Sequence, residues 1–244
     1  MRFDAVAALI ICLACFCATE VEGAGQAGPK EKEFKFTNPD PKIKAISVEE
    51  AKKIAPQRLG SEPQLDADER DDIDTGEIVV RSVGSNGAGK RYEAIALVDA
   101  TPDAVMEVLK DYDSFVKIMP NLEAVQYRWD GNLAYLMESV KAGFFTFNYW
   151  LRIAHYGNMY IEFELDRGDI KEIEGYYKLF SRNGGAKTLL VYHVYSDPGM
   201  ALPQFVIDLL SKSTLPKVLK AVRKEVIRRR NERVRDGGSG ENVR

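Results

Sequence analysis

The stretch that begins at Ile170 constrains the fold most. Between Ile170 and Val194 the residues alternate at the two-residue period of a β-strand, and Asn183, Gly184 and Gly185 break the run with a turn. After Pro203 the apolar spacing lengthens to that of a helix, first through Phe205, Val206, Leu209 and Leu210, then through Val218, Leu219, Val222 and Val226. Pro216 interrupts the ladder of amide bonds, so this helix is expected to kink or to restart near Thr214. A hairpin followed by a long amphipathic helix predicts a sheet that grips its own C-terminal helix. A curved sheet closed by one helix leaves a space between them, and that space can hold a ligand without any catalytic group.

Upstream, punctuation places the remaining strands. Glu77 to Val83 and Arg91 to Val98 alternate on either side of Gly84-Ser85-Asn86-Gly87. Thr101-Pro102-Asp103 then opens a helix, with threonine accepting from the first free amides and proline preset for the first turn. A second short helix around Ser114 to Ile118 ends at Pro120. Asp130-Gly131-Asn132, Gly143 and Gly157-Asn158 separate strands at Ala124 to Trp129, Leu133 to Val140, Phe145 to Ile153 and Met159 to Leu165. Short connections between alternating strands predict an antiparallel meander. The fold class is therefore α+β: a curved antiparallel sheet wrapped around a long C-terminal helix, with two short helices after an early strand.

The first residues read as an export signal. Arg2 precedes an apolar run from Ala5 to Ala18, and Val21-Glu22-Gly23 suits cleavage. The run is too short to span a bilayer. A buried N-terminal helix is the competing reading, since Asp4 weakens the positive start. All three cysteines, Cys12, Cys15 and Cys17, lie in this run, so cleavage leaves no thiol for a disulfide, a nucleophile or a metal. The residues before Cys15, Cys12-Leu13-Ala14, fit a lipid anchor poorly.

Removing residues 1–23 changes the net charge from −3 to −1, with 33 bases against 34 acids. That balance excludes nucleic acid as the expected partner, because phosphate binding needs a concentrated basic excess. Charge is nonetheless uneven. Residues 62–77 carry eight acids against Arg70, and residues 212–235 carry ten bases against Glu225 and Glu232. The basic stretch is read as a solvated helix face, with peripheral contact to an anionic membrane as the alternative. Residues 24–75 read as a poorly structured approach segment with one short helix, opened by the Ser47-Val48-Glu49-Glu50 capping box and stopped near Pro56; residues 76–235 form the domain, and 236–244 a disordered tail.

The run Ala96-Leu97-Val98-Asp99-Ala100-Thr101-Pro102-Asp103-Ala104-Val105, followed by Leu109-Lys110-Asp111-Tyr112 and Met119-Pro120-Asn121, resembles the opening of START-like domains of the polyketide cyclase and coenzyme Q-binding type, the SRPBCC superfamily. Glu174-Gly175-Tyr176-Tyr177, Lys187-Thr188 and Leu202-Pro203 fall in the order of that family's closing hairpin and helix. The resemblance spans Gly76 to Arg233 and implies a helix-grip fold whose cavity binds a lipid or another hydrophobic molecule. The superfamily includes lipid carriers, aromatases, cyclases, quinone-binding proteins and hormone receptors, so the fold does not choose among them. It transfers no catalytic residue.

Two histidines and no mature cysteine supply little for a hydrolytic centre, no HExxH or paired-cysteine element points to a metal, and no cofactor is implied. His193 shares a strand face with Leu189, Val191 and Tyr195 and is the better site candidate, whereas His155 beside Gly157 reads as a turn residue. Tyr177, Tyr195, Val206 and Leu210 are further cavity candidates. Glu138 alternates with Ala134, Leu136 and Val140; pointing inward it must pair, protonate or meet a polar ligand head, and pointing outward it is solvated. One residue of register decides this, and the outward register is preferred. Trp150 and Arg152 pose the same question in the next strand. Three functions fit: an exported carrier or sensor of a hydrophobic small molecule or lipid; a cyclase or aromatase acting on a hydrophobic polyketide, with His193, Tyr192 or Tyr195 moving protons; and a membrane-surface adaptor, with a quinone-binding chaperone as a further alternative.

Overall fold

Eight strands pair antiparallel throughout in the order β1-β2-β8-β7-β6-β5-β4-β3. The computed structural model describes residues 41–86, 89–199 and 214–238. The strands are β1 (Val79–Asn86), β2 (Gly89–Val98), β3 (Leu122–Asp130), β4 (Leu133–Ala142), β5 (Phe145–Tyr156), β6 (Tyr160–Gly168), β7 (Glu172–Arg182) and β8 (Lys187–Asp197). Turns made by short polar and glycine-containing sequences fix the meander from β3 to β8. Gly131 between β3 and β4 has φ 59°, and a Cβ there would lie 2.9 Å from the Ile46 carbonyl oxygen, so only glycine suits this turn. The expected break at Gly84 is instead a bulge: the β1–β2 ladder shifts register between Ser82 and Gly84 and continues to Asn86 opposite Gly89.

Helix α3 (Pro102–Lys110) begins at Thr101, whose hydroxyl accepts from the Ala104 amide at 3.3 Å, and buries Val105, Met106, Val108 and Leu109. A 3-10 turn (Tyr112–Ser114) and the short helix α4 (Phe115–Ile118) lead into β3. The C-terminal helix α5 (Thr214–Gly238) has Pro216 in its first turn, where an amide hydrogen is not needed. Its Leu215, Leu219, Val222 and Val226 are buried at helical spacing against α3 and the inner face of the sheet. Val206, Leu210 and the Pro203 helix start lie outside the described residues, as does the leader. Helix α5 runs to Gly238, three residues into the expected tail.

The expectation of a poorly structured segment over 24–75 is corrected for residues 41–75. Helix α1 (Val48–Leu59) and helix α2 (Ala67–Thr75) cover the outer face of the sheet. Ala51 and Ala55 of α1 pack with Leu133, Tyr135, Ala154, Tyr156 and Tyr160. The helix passes Pro56 by one turn, because the amide bond that proline forfeits belongs to exposed Lys52, and the Gly60 amide closes the end on the Pro56 carbonyl. In the acidic run, Asp66 and Glu69 form a reciprocal capping box, and Ile73 anchors α2 beside Val79, Ile95, Phe180 and Val191.

Candidate ligand cavity

A partly open cavity of about 90 Å³ lies between the inner face of the sheet, α3, α4 and the turn between them; among the described residues none of α5 lines it, so the expected wall at the C-terminal helix is supplied by these shorter elements instead. Leu109, Tyr112 and Phe115 line it from the helical side, and Leu136, Glu138, Tyr149, Leu151, Ile153, Ile161, Phe163, Ile173, Tyr177 and Tyr192 from strands β4 to β8. Strand alternation puts them on one face, and the pairing Glu138↔Tyr149 and Tyr177↔Tyr192 sets polar side chains directly opposite each other across neighbouring strands. The outward register preferred for Glu138 is thereby corrected. Its alternating partners Ala134 and Leu136 belong to the inner core, while Leu133 and Tyr135 meet α1 on the other side.

Four hydroxyls and one carboxyl make up the polar part of this lining. Burial raises the Glu138 carboxyl from 4.5 to about 6, and the Tyr149 hydroxyl, which donates to it, pulls the other way. Burial raises the Tyr149, Tyr112 and Tyr177 phenols well above their usual value, with the nearby Glu138 charge adding to each effect, so all three stay neutral. The Tyr177 and Tyr192 rings stack at 4.3 Å and 5° with their hydroxyls hydrogen-bonded. Such a site can offer a hydrogen-bonding or proton-exchanging end to a molecule otherwise surrounded by apolar side chains.

Behind the cavity wall, the Tyr112 hydroxyl lies 2.7 Å from His155 Nε2. His155 is not a turn residue: it is buried within β5, where desolvation, with the Lys110 charge second, holds its imidazole down to about 3 and therefore neutral.

The sequence candidates divide between the two faces of the sheet. Glu138 and Tyr177 meet in the cavity, together with Tyr192. His193 and Tyr195 line a separate groove of about 350 Å³ on the outer face, with Lys42, Arg91, Glu174 and Tyr176. There the His193 ring stacks on Tyr176 at 4.7 Å and lies 3.9 Å from the Glu93 carboxylate. The partners that seemed to make a core face for His193, Leu189 and Val191, are buried by α2 instead. Trp150 stacks under Arg167 at 4.5 Å, and Arg152 pairs with Asp166 at 3.3 Å, neither lining the cavity. Tyr149 and Tyr112 were missed by sequence reasoning. Tyr149 becomes legible once Glu138 is turned inward, since it is its cross-strand partner; Tyr112 has no periodic signal, sitting in a 3-10 turn.

Residues 98–223, more than half of the chain, match the family model for polyketide cyclase / dehydrase and lipid transport. The chain belongs to this family. Among solved structures, this family member is similar to the aromatase/cyclase Zhui from Streptomyces sp. R1128, at 18% identity over 58% of this chain and 95% of that one, with a TM-score of 0.51. It is also similar to a STAR-related lipid transfer protein from Xanthomonas axonopodis, at 17% identity over 61% of this chain and 92% of that one, with a TM-score of 0.50. At these identities the likeness shows the helix-grip fold alone. The curated proteins give no match to the sequence.

Proposed function

We propose that this family member is an exported binding protein for a small hydrophobic molecule with a hydrogen-bonding head, held between the sheet and the helices for transport or sensing. The observation that carries the reading is a buried carboxyl, Glu138, set in a mostly apolar, aromatic-lined cavity and bonded there by Tyr149. A carboxyl so placed is costly unless it serves a ligand or a proton. The apolar run from Ala5 to Ala18 supports export.

Cavity size bears on the ligand. The volume of about 90 Å³ is less than the roughly 150 Å³ of an engineered apolar cavity that takes benzene. A ligand therefore enters by displacing rings, and the stacked Tyr177 and Tyr192 are the pair whose rotation enlarges the space most directly. A single-ring head fits this better than a diacyl lipid. Three of the α5 arginines are paired within the protein, Arg228 and Arg229 with Glu225, Arg229 also with Asp111, and Arg233 with Glu107, which offsets part of the basic charge that a membrane contact would use.

Native mass spectrometry of the purified protein, followed by solvent extraction, tests the proposal. The expected result is a co-purified hydrophobic adduct that Glu138→Gln weakens about tenfold, equivalent to roughly 1.4 kcal/mol. A protein that emerges empty and takes up no quinone, fatty acid or aromatic probe would sink it. A second reading, a cyclase-type enzyme, is favoured by the same carboxyl, since a group near 6 can exchange protons at neutral pH. Here Glu138 and Tyr192 would act, not the outward-facing His193 or Tyr195. Turnover of a hydrophobic substrate that disappears in Glu138→Gln while binding persists would decide for it.

A further inference from the structure

A third pocket, of about 490 Å³, lies at the ends of β3, β4 and β5, between the first turns of α1 and the ends of α3. We propose that it binds a small organic anion with a flat apolar body, of which an aromatic carboxylate is the simplest example. Two buried polar side chains line it with unspent capacity. Asn132, 3% exposed, uses its Oδ1 to accept from the Ile46 amide at 2.9 Å, while its Nδ2 has no partner among the described residues. His155, 4% exposed, uses Nε2 with Tyr112, while Nδ1 has no partner among the described residues. Buried polar groups are normally satisfied, so two orphan atoms just beneath the surface of one pocket point to a ligand that they meet by a small rotation of the side chains.

Charge selects the sign of that ligand. Lys52 and Lys110 both line the pocket; Lys52 is already paired with Glu49 at 2.9 Å, whereas Lys110 is held below its ordinary value by burial and by the Lys52 charge and is the cation that selects the ligand. The Lys110 ammonium donates to the Gly157 carbonyl at 3.3 Å, and no carboxylate lies within ion-pair distance of it among the described residues. An anion between the two ammonium groups relieves their repulsion and meets the Asn132 amide donor. The lining has one acid, Asp103, whose Oδ1 accepts from Asn158 Nδ2 at 2.7 Å and whose charge partly offsets that of Lys52 at Lys110.

The apolar part follows from Trp129. This indole is 41% exposed, lines the pocket and packs 4.9 Å from the His155 ring, offering a flat wall to a planar group. Exposed Val48 of α1 stands in the same lining. A bare inorganic anion would use the lysines and leave this wall uncovered.

The test uses the full chain carrying Trp150→Phe, which leaves Trp129 as the one indole of the sequence's two. Sodium benzoate titrated into this protein is expected to change Trp129 fluorescence saturably, and Lys110→Gln should weaken the apparent affinity about tenfold with the unfolding midpoint unchanged. Lys52→Gln, at an exposed position, should weaken it about threefold and serves if Lys110→Gln fails to fold. Glu138→Gln should leave it unchanged, which separates this site from the cavity. Absence of saturation, equal affinity in both lysine variants and the parent, or loss on Glu138→Gln would each overturn the proposal. Inorganic phosphate competing as well as benzoate would overturn the requirement for a flat apolar body.

Discussion

Tyr112 and His155 form one buried hydrogen-bonded pair, hydroxyl to Nε2 at 2.7 Å, that is at once the wall of the inner cavity and the back of the pocket at the strand ends. Tyr112 also contacts Phe115, Tyr127 and Trp129 through ring edges and tilts, so the pair sits in an aromatic cluster with little freedom to rearrange. Removing the hydroxyl in Tyr112→Phe leaves His155 with neither ring nitrogen partnered among the described residues, a loss expected to cost about 1–3 kcal/mol. Urea unfolding at pH 7 checks this. A double-mutant cycle with His155→Phe should show a coupling of at least about 0.5 kcal/mol, since the two side chains share one bond.

His155 also sets a pH dependence. Its folded value of about 3 lies below the ordinary 6.5, so the unfolded chain binds the proton that the native protein refuses. Stability from this group is complete above pH 6.5 and is lost as pH falls toward 3, by up to roughly 5 kcal/mol at the limit. The difference in unfolding free energy between the parent protein and His155→Gln should therefore shrink steadily over that window. A difference that stays constant with pH would mean the imidazole is solvated.

Glu138 acts with the opposite sign. Its folded value of about 6 exceeds the ordinary 4.5, so the native protein holds a proton that the unfolded chain releases first. Stability falls as pH rises from 4.5 through 6, by roughly 2 kcal/mol in all. Glu138→Gln keeps a neutral polar group opposite Tyr149 and is expected to stabilise the apo protein by up to about 2 kcal/mol above pH 7, while weakening ligand binding. Thermal unfolding at pH 5 and pH 8 checks the pattern: the variant should gain at pH 8 and gain little at pH 5.

How much of this was legible in the sequence depends on which face of an element was covered. The β7–β8 hairpin, with its two-residue period and Asn183-Gly184-Gly185 turn, stood out, as did the Leu219, Val222 and Val226 stripe of α5. Strand β4 did not. Leu133, Ala134, Tyr135 and Leu136 are all buried, because α1 covers the face that a half-solvated strand would show to water. Alternation then carries no sign, and the register of Glu138 could not be read from it. The same omission misplaced His193: Leu189 and Val191 are apolar because α2 packs on them, not because they face the cavity. Helix α1 was announced by its Ser47 cap, but its packing against the sheet, and the whole of α2, were hidden for a physical reason. Helix α2 buries Ile73 in a run of acids, and α1 packs through Ala51 and Ala55, whose small side chains leave no apolar stripe.

Gly175 provides the sharpest test of the sheet itself. It lies mid-strand in β7, opposite Phe163 on β6 and Val194 on β8. A Cβ placed on it would come 2.1 Å from the His193 carbonyl oxygen and 2.5 Å from the Phe163 ring. The ring can tilt, but the carbonyl belongs to the ladder that carries Tyr192 into the cavity, so relief requires the backbone to move. Gly175→Ala is expected to lose at least about 1–3 kcal/mol, the usual range for overpacking a closed site. Because the strain falls on the β7–β8 register, it should also separate Tyr177 from Tyr192, whose stacking depends on their being directly paired. Circular dichroism in the near-ultraviolet, which reports coupled tyrosines, should lose intensity in Gly175→Ala below its unfolding midpoint. A variant as stable as the parent, with that signal intact, would mean the close approach of β7 and β8 at Gly175 is not the packing the protein adopts.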